Sequence, residues 1–252
     1  MPLTLTAIFF LVPLYVYAGY PLLLLIIKTV YTQKHTIDEN MSPSVTLIVS
    51  CFNEEAVIEE KISNSLAIDY PEEQFEILFL SDGSTDRTDD LIKSNSSKKI
   101  KLIRQEGRLG KTSGLNMAVP EAKGDIIVFS DANAMYQPDA IHKLVRHFAD
   151  EQVGLVVGAA IYTDGEKNSA AQSENSYWEY ELLIKHWESQ IHSVVGGDGA
   201  IYAIRKHLYD KLDAKDINDF VNPLEIIAKG YRGIFDRGAI CLEETAGDFA
   251  KE

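Results

Sequence analysis

Positive charge is scarce in this chain. Among its 252 residues, 24 Lys and Arg stand against 38 Asp and Glu, a formal charge of −14. Nucleic-acid phosphates select Lys/Arg-rich faces, so this balance excludes nucleic acid as the main partner, while remaining compatible with a site that gathers cations. Cysteine is nearly absent. Only Cys51 and Cys241 occur, and two unpaired thiols, one inside a predicted buried strand, are in keeping with a reducing compartment. No G-x-G-x-x-G follows the first predicted strand, which excludes an NAD-type oxidoreductase. Gly110-Lys111-Thr112 looks like the tail of a phosphate-cradling loop, yet Gln105 occupies the place of that loop's first glycine, and the segment follows the third strand instead of the first. Internal repeats and low-complexity segments are lacking too.

Charge is missing altogether from Pro2 to Ile27, where "LLLLII" closes the run before Lys28. Some 25 helical residues reach roughly 37 Å, enough to cross a hydrocarbon core of about 30 Å with tilt. Pro13, Gly19 and Pro21 predict kinks, and Tyr15, Tyr17 and Tyr20 suit contact with another helix. A cleaved signal peptide is the competing reading, but it calls for a basic start and a shorter apolar core. Residues 1–30 are therefore expected to form a single transmembrane helix. Lys28, Lys34 and His35 follow it, and the positive-inside rule then places the rest on the cytoplasmic side of an inner or plasma membrane.

After a polar linker, 31–43, strands and helices alternate over 44–252. Predicted strands are "SVTLIVSCF", "FEILFLSDGS", "KIKLIRQ", "DIIVFSDAN" and "VGLVVGAAIY", with helices over "NEEAVIEEKISNSLAI", "DRTDDLIKSN", "GKTSGLNMAV" and "PDAIHKLVRHFAD" between them. This rhythm predicts an α/β fold with a mostly parallel sheet flanked by helices. The second half is less regular: a long helix over Asn168–His192, a strand "DGAIYAIRK", a helix "NPLEIIAKGY" and a last strand "GIFDRGAICLEE". In the long helix, Tyr177, Trp178, Tyr180 and Trp187 offer faces for stacking on sugar rings, but such spacing is more often core. His186 and His192 lack metal-ligand spacing with carboxylates.

Three strands end in polar groups, "SCFNEE", "SDGSTD" and "SDANA". In a parallel sheet such ends share one edge, where ligand crevices form. Turn chemistry alone accounts for each, with Ser84 or Thr85 capping the next helix. Together they suit a nucleotide: a carboxylate for a base or ribose, and another for a divalent ion beside a diphosphate. Lys111, at a helix start, suits a diphosphate or a solvated cap.

In this order, "FNEE", "LSDGSTD", "GKTSGLN", "FSDANA", "GGDGAIYAIRK" and "INDFVNPLEIIAKGYR" resemble the family 2 glycosyltransferases of the GT-A fold, over about Ser44 to Glu244. The likeness is to membrane-anchored bacterial polysaccharide synthases, relatives of the cellulose, hyaluronan and poly-N-acetylglucosamine enzymes. It implies a UDP-sugar donor, a saccharide acceptor and inverting transfer assisted by Mg²⁺ or Mn²⁺, with a membrane protein as a further partner. By that resemblance Phe52, Glu54 and Asp82 hold uracil and ribose, and Lys111 lies near the nucleotide-sugar. Asp131 and Asn133 match the metal-binding pair, Asp198 lies beside the donor and acceptor sugars, and Asp219 is the catalytic base.

Departures from the pattern carry expectations of their own. Asn133 replaces a carboxylate, Ser50 stands where many relatives have Pro, and Asn218 replaces the acid that commonly precedes the base. By structure alone Asp219 would be an N-terminal helix cap. The sequence stops at "ETAGDFAKE", about where relatives continue into a Gln/Arg/Trp-bearing segment and further membrane helices. Two readings stand side by side: an enzyme of polysaccharide or exopolysaccharide synthesis, or a membrane-tethered relative that binds nucleotide-sugar or has a regulatory role without turnover.

Overall fold

A computed structural model describes residues 9, 11–163 and 169–243, and only the backbone of 169–177. Helix α1, Leu11–Val30, is long and apolar enough to cross a membrane by length and composition, and is almost wholly exposed. A π-helical turn, Tyr15–Gly19, interrupts it beside Pro21. Proline has no N–H for the Tyr17 carbonyl and its ring crowds that oxygen, so the helix widens there. Tyr17 and Tyr20 turn toward helix α6, Ser169–Ile191. Tyr20 donates its hydroxyl to Glu188, the Tyr17 and Tyr180 rings lie 6.4 Å apart, and Tyr180 donates to the Val16 carbonyl at 3.2 Å.

Eight strands form one sheet: β1 Val45–Cys51, β2 Phe75–Ser81, β3 Ile100–Arg104, β4 Ile126–Asp131, β5 Met135–Tyr136, β6 Val153–Tyr162, β7 Tyr202–Arg205 and β8 Arg232–Glu243. The order is β3-β2-β1-β4-β7-β6-β8-β5. The first four strands in this order are mutually parallel, as are β6 and β8, whereas β7 runs antiparallel to β4 and β6, and β5 to β8. The sheet is thus mixed, a purely parallel half joined to a less regular one. Two-residue β5 was not expected from sequence. The strand predicted over 198–206 shrinks to β7, because Asp198–Ile201 form a turn that enters the site.

Helices α2 Ile58–Leu66, α3 Thr88–Ser94, α4 Lys111–Glu121, α5 Ala140–Val145 and α7 Asn218–Ala228 cover both faces with α6. Alternation along each strand supplies two cores. Leu47 and Val49 of β1 face Ile58 and Ile62 of α2 and Leu144 of α5, while Ile48 and Leu78 face Leu115 of α4 and Ile226 of α7. Burial of each such aliphatic side chain contributes about 1.5–3 kcal/mol. Both thiols are buried and free.

Register brings the site together. Ser50 of β1 stands opposite Asp131 of β4, and Cys51 opposite Ser81 of β2. The three polar strand ends therefore open side by side.

Candidate active site

A cavity of about 290 Å³ opens at those strand ends, lined by Phe52, Asp82, Arg108, Gly110, Lys111 and Asp131 among others. Four of these were expected from sequence. Asn53 turns the chain out of β1 at φ 55°, a left-handed conformation that Asn tolerates, and its side-chain oxygen accepts the Thr85 N–H at 2.8 Å. This bond ties "FNEE" to "SDGSTD". Neither Ser84 nor Thr85 caps α3. Asp86 meets the helix start instead, accepting the Thr88 N–H at 3.0 Å.

Asp82 is more deeply engaged than a base-binding carboxylate alone would be. It accepts Leu109 N–H at 2.8 Å, Gly110 N–H at 3.0 Å and the Gln105 amide at 2.7 Å. It therefore shapes the loop between β3 and α4 as well as lining the cavity. Gly83 lies against that loop: at φ 71° its missing Cβ would stand 2.6 Å from the Gly107 carbonyl. Arg108, which the sequence reading passed over, lays its guanidinium 4.1 Å from the centroid of the Phe52 ring. A planar cation on an aromatic face is a platform for a flat ligand.

Deeper in, three charged side chains converge. Lys111, first residue of α4, pairs with Asp131. A Cβ built on Gly199 would lie 3.2 Å from Asp219 Oδ2, 3.2 Å from Lys111 Nζ and 3.3 Å from Asp131 Oδ2. Residues 20 and 88 positions apart from Asp131 thus meet over one glycine. Lys111 is accordingly no solvated cap.

Asp219 is not the cap of α7: Ile217 holds that position and Asp219 lies in the first turn. Pro223, inside the helix, has no N–H for the Asp219 carbonyl. That carbonyl instead accepts the Gly197 N–H at 2.7 Å. The proline thereby docks the Gly196–Gly199 loop against the residue that faces the site. Asn218 is buried and donates its amide to the Tyr202 hydroxyl at 2.9 Å, joined by Asn222 at 3.4 Å. The residue preceding Asp219 anchors the helix to the sheet.

Asp198 is held by Lys185 at 3.7 Å and by the Ala200 N–H at 3.2 Å. Burial pushes its carboxyl up, and the Asp131 and Asp219 charges add to this against the pull of Lys185. Burial likewise raises Glu54, with Asp131 and Asp86 contributing. Glu243, at the end of β8, is pushed up to about 7 by burial and by Asp198 and Asp131. Sequence reasoning missed Glu243, although its place at a strand end was a usable signal. Asn133 is exposed in the turn after β4.

These groups fit a divalent cation that arrives with a nucleotide. Carboxylate and amide oxygens are hard donors, and carboxyls raised by burial and, to a lesser degree, by one another's charge gather where a cation would be favoured. Among the described residues no cluster of three His, Cys, Asp or Glu could hold a metal ion unaided, so diphosphate oxygens would have to complete the shell.

Among the described side chains of α6, Trp178, Tyr180 and Trp187 are half-buried and do not line this cavity. Trp178 packs on Tyr162 at 4.9 Å, and Lys28 lies 5.9 Å from the centroid of the Trp187 ring, so Trp187 and Tyr180 help seat α1. The side chain of Tyr177, like residues 244–252, lies outside the described residues.

The mixed sheet with a polar crevice at its parallel strand ends is the architecture of GT-A glycosyltransferases. The chain belongs to glycosyl transferase family 2, whose model matches residues 46–212. It is 29% identical over 163 residues to a beta-monoglucosyldiacylglycerol synthase of Nostoc sp. (strain PCC 7120 / SAG 25.82 / UTEX 2576), covering 63% of this chain and 34% of that protein. It is 30% identical over 128 residues to the poly-beta-1,6-N-acetyl-D-glucosamine synthase of Staphylococcus aureus (strain COL), covering 50% and 31%. The chain thus spans about a third of the length of these relatives. In fold it is similar to a Pyrobaculum calidifontis mannosyltransferase solved with GDP-Man and Mn2+, with a TM-score of 0.77 at 24% identity, covering 92% of this chain and 67% of that one. It is also similar to S. aureus TarS solved with UDP-GlcNAc, with a TM-score of 0.59 at 17% identity, covering 82% and 60%.

Proposed function

We propose that this chain is the donor-binding and catalytic part of an inverting glycosyltransferase. In this reading it moves a sugar from a UDP-sugar to a hydroxyl of a saccharide acceptor in polysaccharide synthesis. The observation that carries the proposal is the convergence of Asp131, Lys111 and Asp219 over Gly199. It supports a reading in which Asp219 acts as a base beside the groups that would hold a departing diphosphate. Asp219 takes the proton of the acceptor hydroxyl as that oxygen bonds to the anomeric carbon. The anomeric carbon–oxygen bond to the diphosphate breaks in the same displacement, and its electron pair leaves on the diphosphate. Lys111 and the N–H groups at the start of α4 receive that negative charge. Phe52, Arg108 and Asp82 hold the nucleobase and ribose, with Glu54 beside them, and Asp198 borders the sugar. Asp131 and Asn133 would hold Mg²⁺ or Mn²⁺, which neutralises charge on the leaving nucleoside diphosphate. Helix α1 anchors the domain, as residues 1–30 with linker 31–43, to the cytoplasmic face of a membrane.

Support for the donor class comes from the family and from fold neighbours solved with GDP-Man and UDP-GlcNAc. The polysaccharide reading draws on the poly-N-acetylglucosamine synthase relative. Asp219→Asn provides the test. Removing a general base costs a factor of about 10²–10⁴ in rate, whereas a fold role at this position would tolerate the isosteric amide. The variant is expected to bind UDP as the parent does and to melt at the same temperature while losing transfer. Transfer at the parent's rate would remove Asp219 from the mechanism. A parent that binds nucleotide but transfers from no nucleotide-sugar would be a binding module. Calorimetry with UDP and GDP decides the base, since equal affinity would refute uridine selection.

A further inference from the structure

Helix α2 carries a charge where its packing face calls for an apolar residue. Ile58, Lys61, Ile62 and Ser65 are its buried positions, the spacing of a face turned into the core. Lys61 is 0% exposed. A fully buried lysine is rare, and its observed hydrogen-bond and ring partners are neutral. The ammonium donates to Ser130 Oγ at 2.7 Å and to the Ala134 carbonyl, and it stands 4.7 Å from the centroid of the Tyr136 ring.

Those partners bracket the turn that presents Asp131 and Asn133. Ser130 Oγ passes the contact on, donating to the Asp131 carbonyl at 3.1 Å, and the same carbonyl accepts the Ala134 N–H at 3.3 Å. Both ends of the turn are thus gripped by one cation from below. Tyr136 extends the grip, its hydroxyl shared between the carbonyls of Phe129 at 2.9 Å and Ala200 at 3.0 Å, next to Gly199. Asn64, one turn along α2, bonds only the Tyr136 backbone, at 2.9 Å to both its N–H and its carbonyl.

Burying an ammonium is unfavourable unless its hydrogens are used. A Met or Leu at this position would fill the space but donate nothing, leaving Ser130 and the Ala134 carbonyl without this partner. Lysine suits the place because one group with three donors can reach two chain segments and a ring at once.

We propose that Lys61 is a positioning residue for the cation site: by clamping Ser130 and Ala134 it holds the Asp131 carboxylate and the Asn133 amide together toward a divalent ion that arrives with a nucleoside diphosphate. The inference rests on the donor-site reading above. It assigns Lys61 no contact with substrate.

The test is calorimetry of the whole chain with UDP or GDP, whichever the parent binds more tightly, with and without Mn²⁺. The quantity read is the affinity gained on adding the metal. Outer partners of metal ligands typically matter by about 10–100-fold in metal affinity, so Lys61→Met and Ser130→Ala should each lose about that much of the gain. Their metal-free nucleotide affinity should match the parent's, since Phe52, Asp82 and Arg108 lie outside the clamp. Asn64→Ala, on the same helix, should lower the melting temperature yet keep the full gain. Should Lys61→Met fail to fold, Ser130→Ala carries the test, because it leaves the buried lysine in place. An undiminished gain in Ser130→Ala or in folded Lys61→Met overturns the proposal, and so does an equal loss in Asn64→Ala, which would indicate general loosening. No metal gain in the parent overturns the donor-site reading, and this inference with it.

Discussion

Gly199→Ala places a methyl group at the point where the proposed site closes. Its Cβ would stand 3.2 Å from Asp219 Oδ2, 3.2 Å from Lys111 Nζ and 3.3 Å from Asp131 Oδ2, against 3.4–4 Å for ordinary contact. Each of the three polar ends must retreat by a few tenths of an ångström. All three are ends of side chains, so the fold can absorb the change. Gly199 is not among the positive-φ glycines, which leaves its backbone open to alanine. Lost freedom in the unfolded chain favours alanine by about 0.4–1 kcal/mol, roughly offsetting the tight contacts. The melting temperature should therefore move by only a few degrees. Chemistry should not be spared. A misplacement of about 1 Å among reacting groups can cost about 10²-fold, or about 2.7 kcal/mol of barrier at 1.36 kcal/mol per tenfold. The methyl both spreads the carboxylates and fills room that a sugar would need. The assay compares transfer from labelled nucleotide-sugar with nucleotide affinity and melting. Transfer is expected to fall by about 10²-fold or more, while nucleotide affinity, proposed to rest mainly on Phe52 and Asp82, falls much less. Transfer at the parent's rate would show that donor and acceptor do not meet over Gly199.

Three more outcomes are expected. Asn133→Asp adds a charged hard ligand and should tighten metal-dependent UDP binding by about tenfold; an unchanged metal dependence in calorimetry would exclude Asn133 from the cation's shell. The linker after α1 is docked through His35, which lies 2.7 Å from His147, itself 2.8 Å from Asp236. Burial, with His147 and Arg232 nearby, pulls His35 down to about 4. A neutral, half-buried His binds fewer protons than its unfolded form, so its stabilising contribution is complete above about 6.5 and is lost as pH falls from there toward 4. Proteolysis within 31–43 should rise over that window, and a flat pH profile would refute the docking role of His35. Protease added outside sealed cells should leave the chain beyond Tyr31 intact, and digestion of the domain would reverse the membrane orientation.

The residues of β1, β2 and β4 announce their place in the sequence itself. A strand covered on both faces is expected to be near-continuously apolar, and "LIV", "ILFL" and "IIVF" are so. The polar groups that stop them must then lie at the strand ends, which is why Asp82 and Asp131 were legible as candidate site residues, whereas Phe52 was named only through the family resemblance. Lys111 was legible only as one of two things, a diphosphate contact or a solvated cap, and its pairing with Asp131 could not be read from the sequence. For Tyr180 and Trp187 of α6 the spacing was ambiguous for a different reason: their partner, α1, lies more than a hundred residues away.

Local pattern thus determined which segments form strands and helices and which ends are polar, because hydrophobic period and turn chemistry act over a few residues. Tertiary structure decided what those ends face. Pro223 frees a carbonyl of Asp219 that Gly197, 22 positions earlier, uses. Arg108 becomes a platform only because Phe52 arrives beneath it. Lys61 reads as a surface residue in any local window, and becomes a buried clamp only when β4 and its turn pack over α2. Contacts between residues far apart in sequence depend on sheet register and on which helix crosses which face, and no local propensity carries that information.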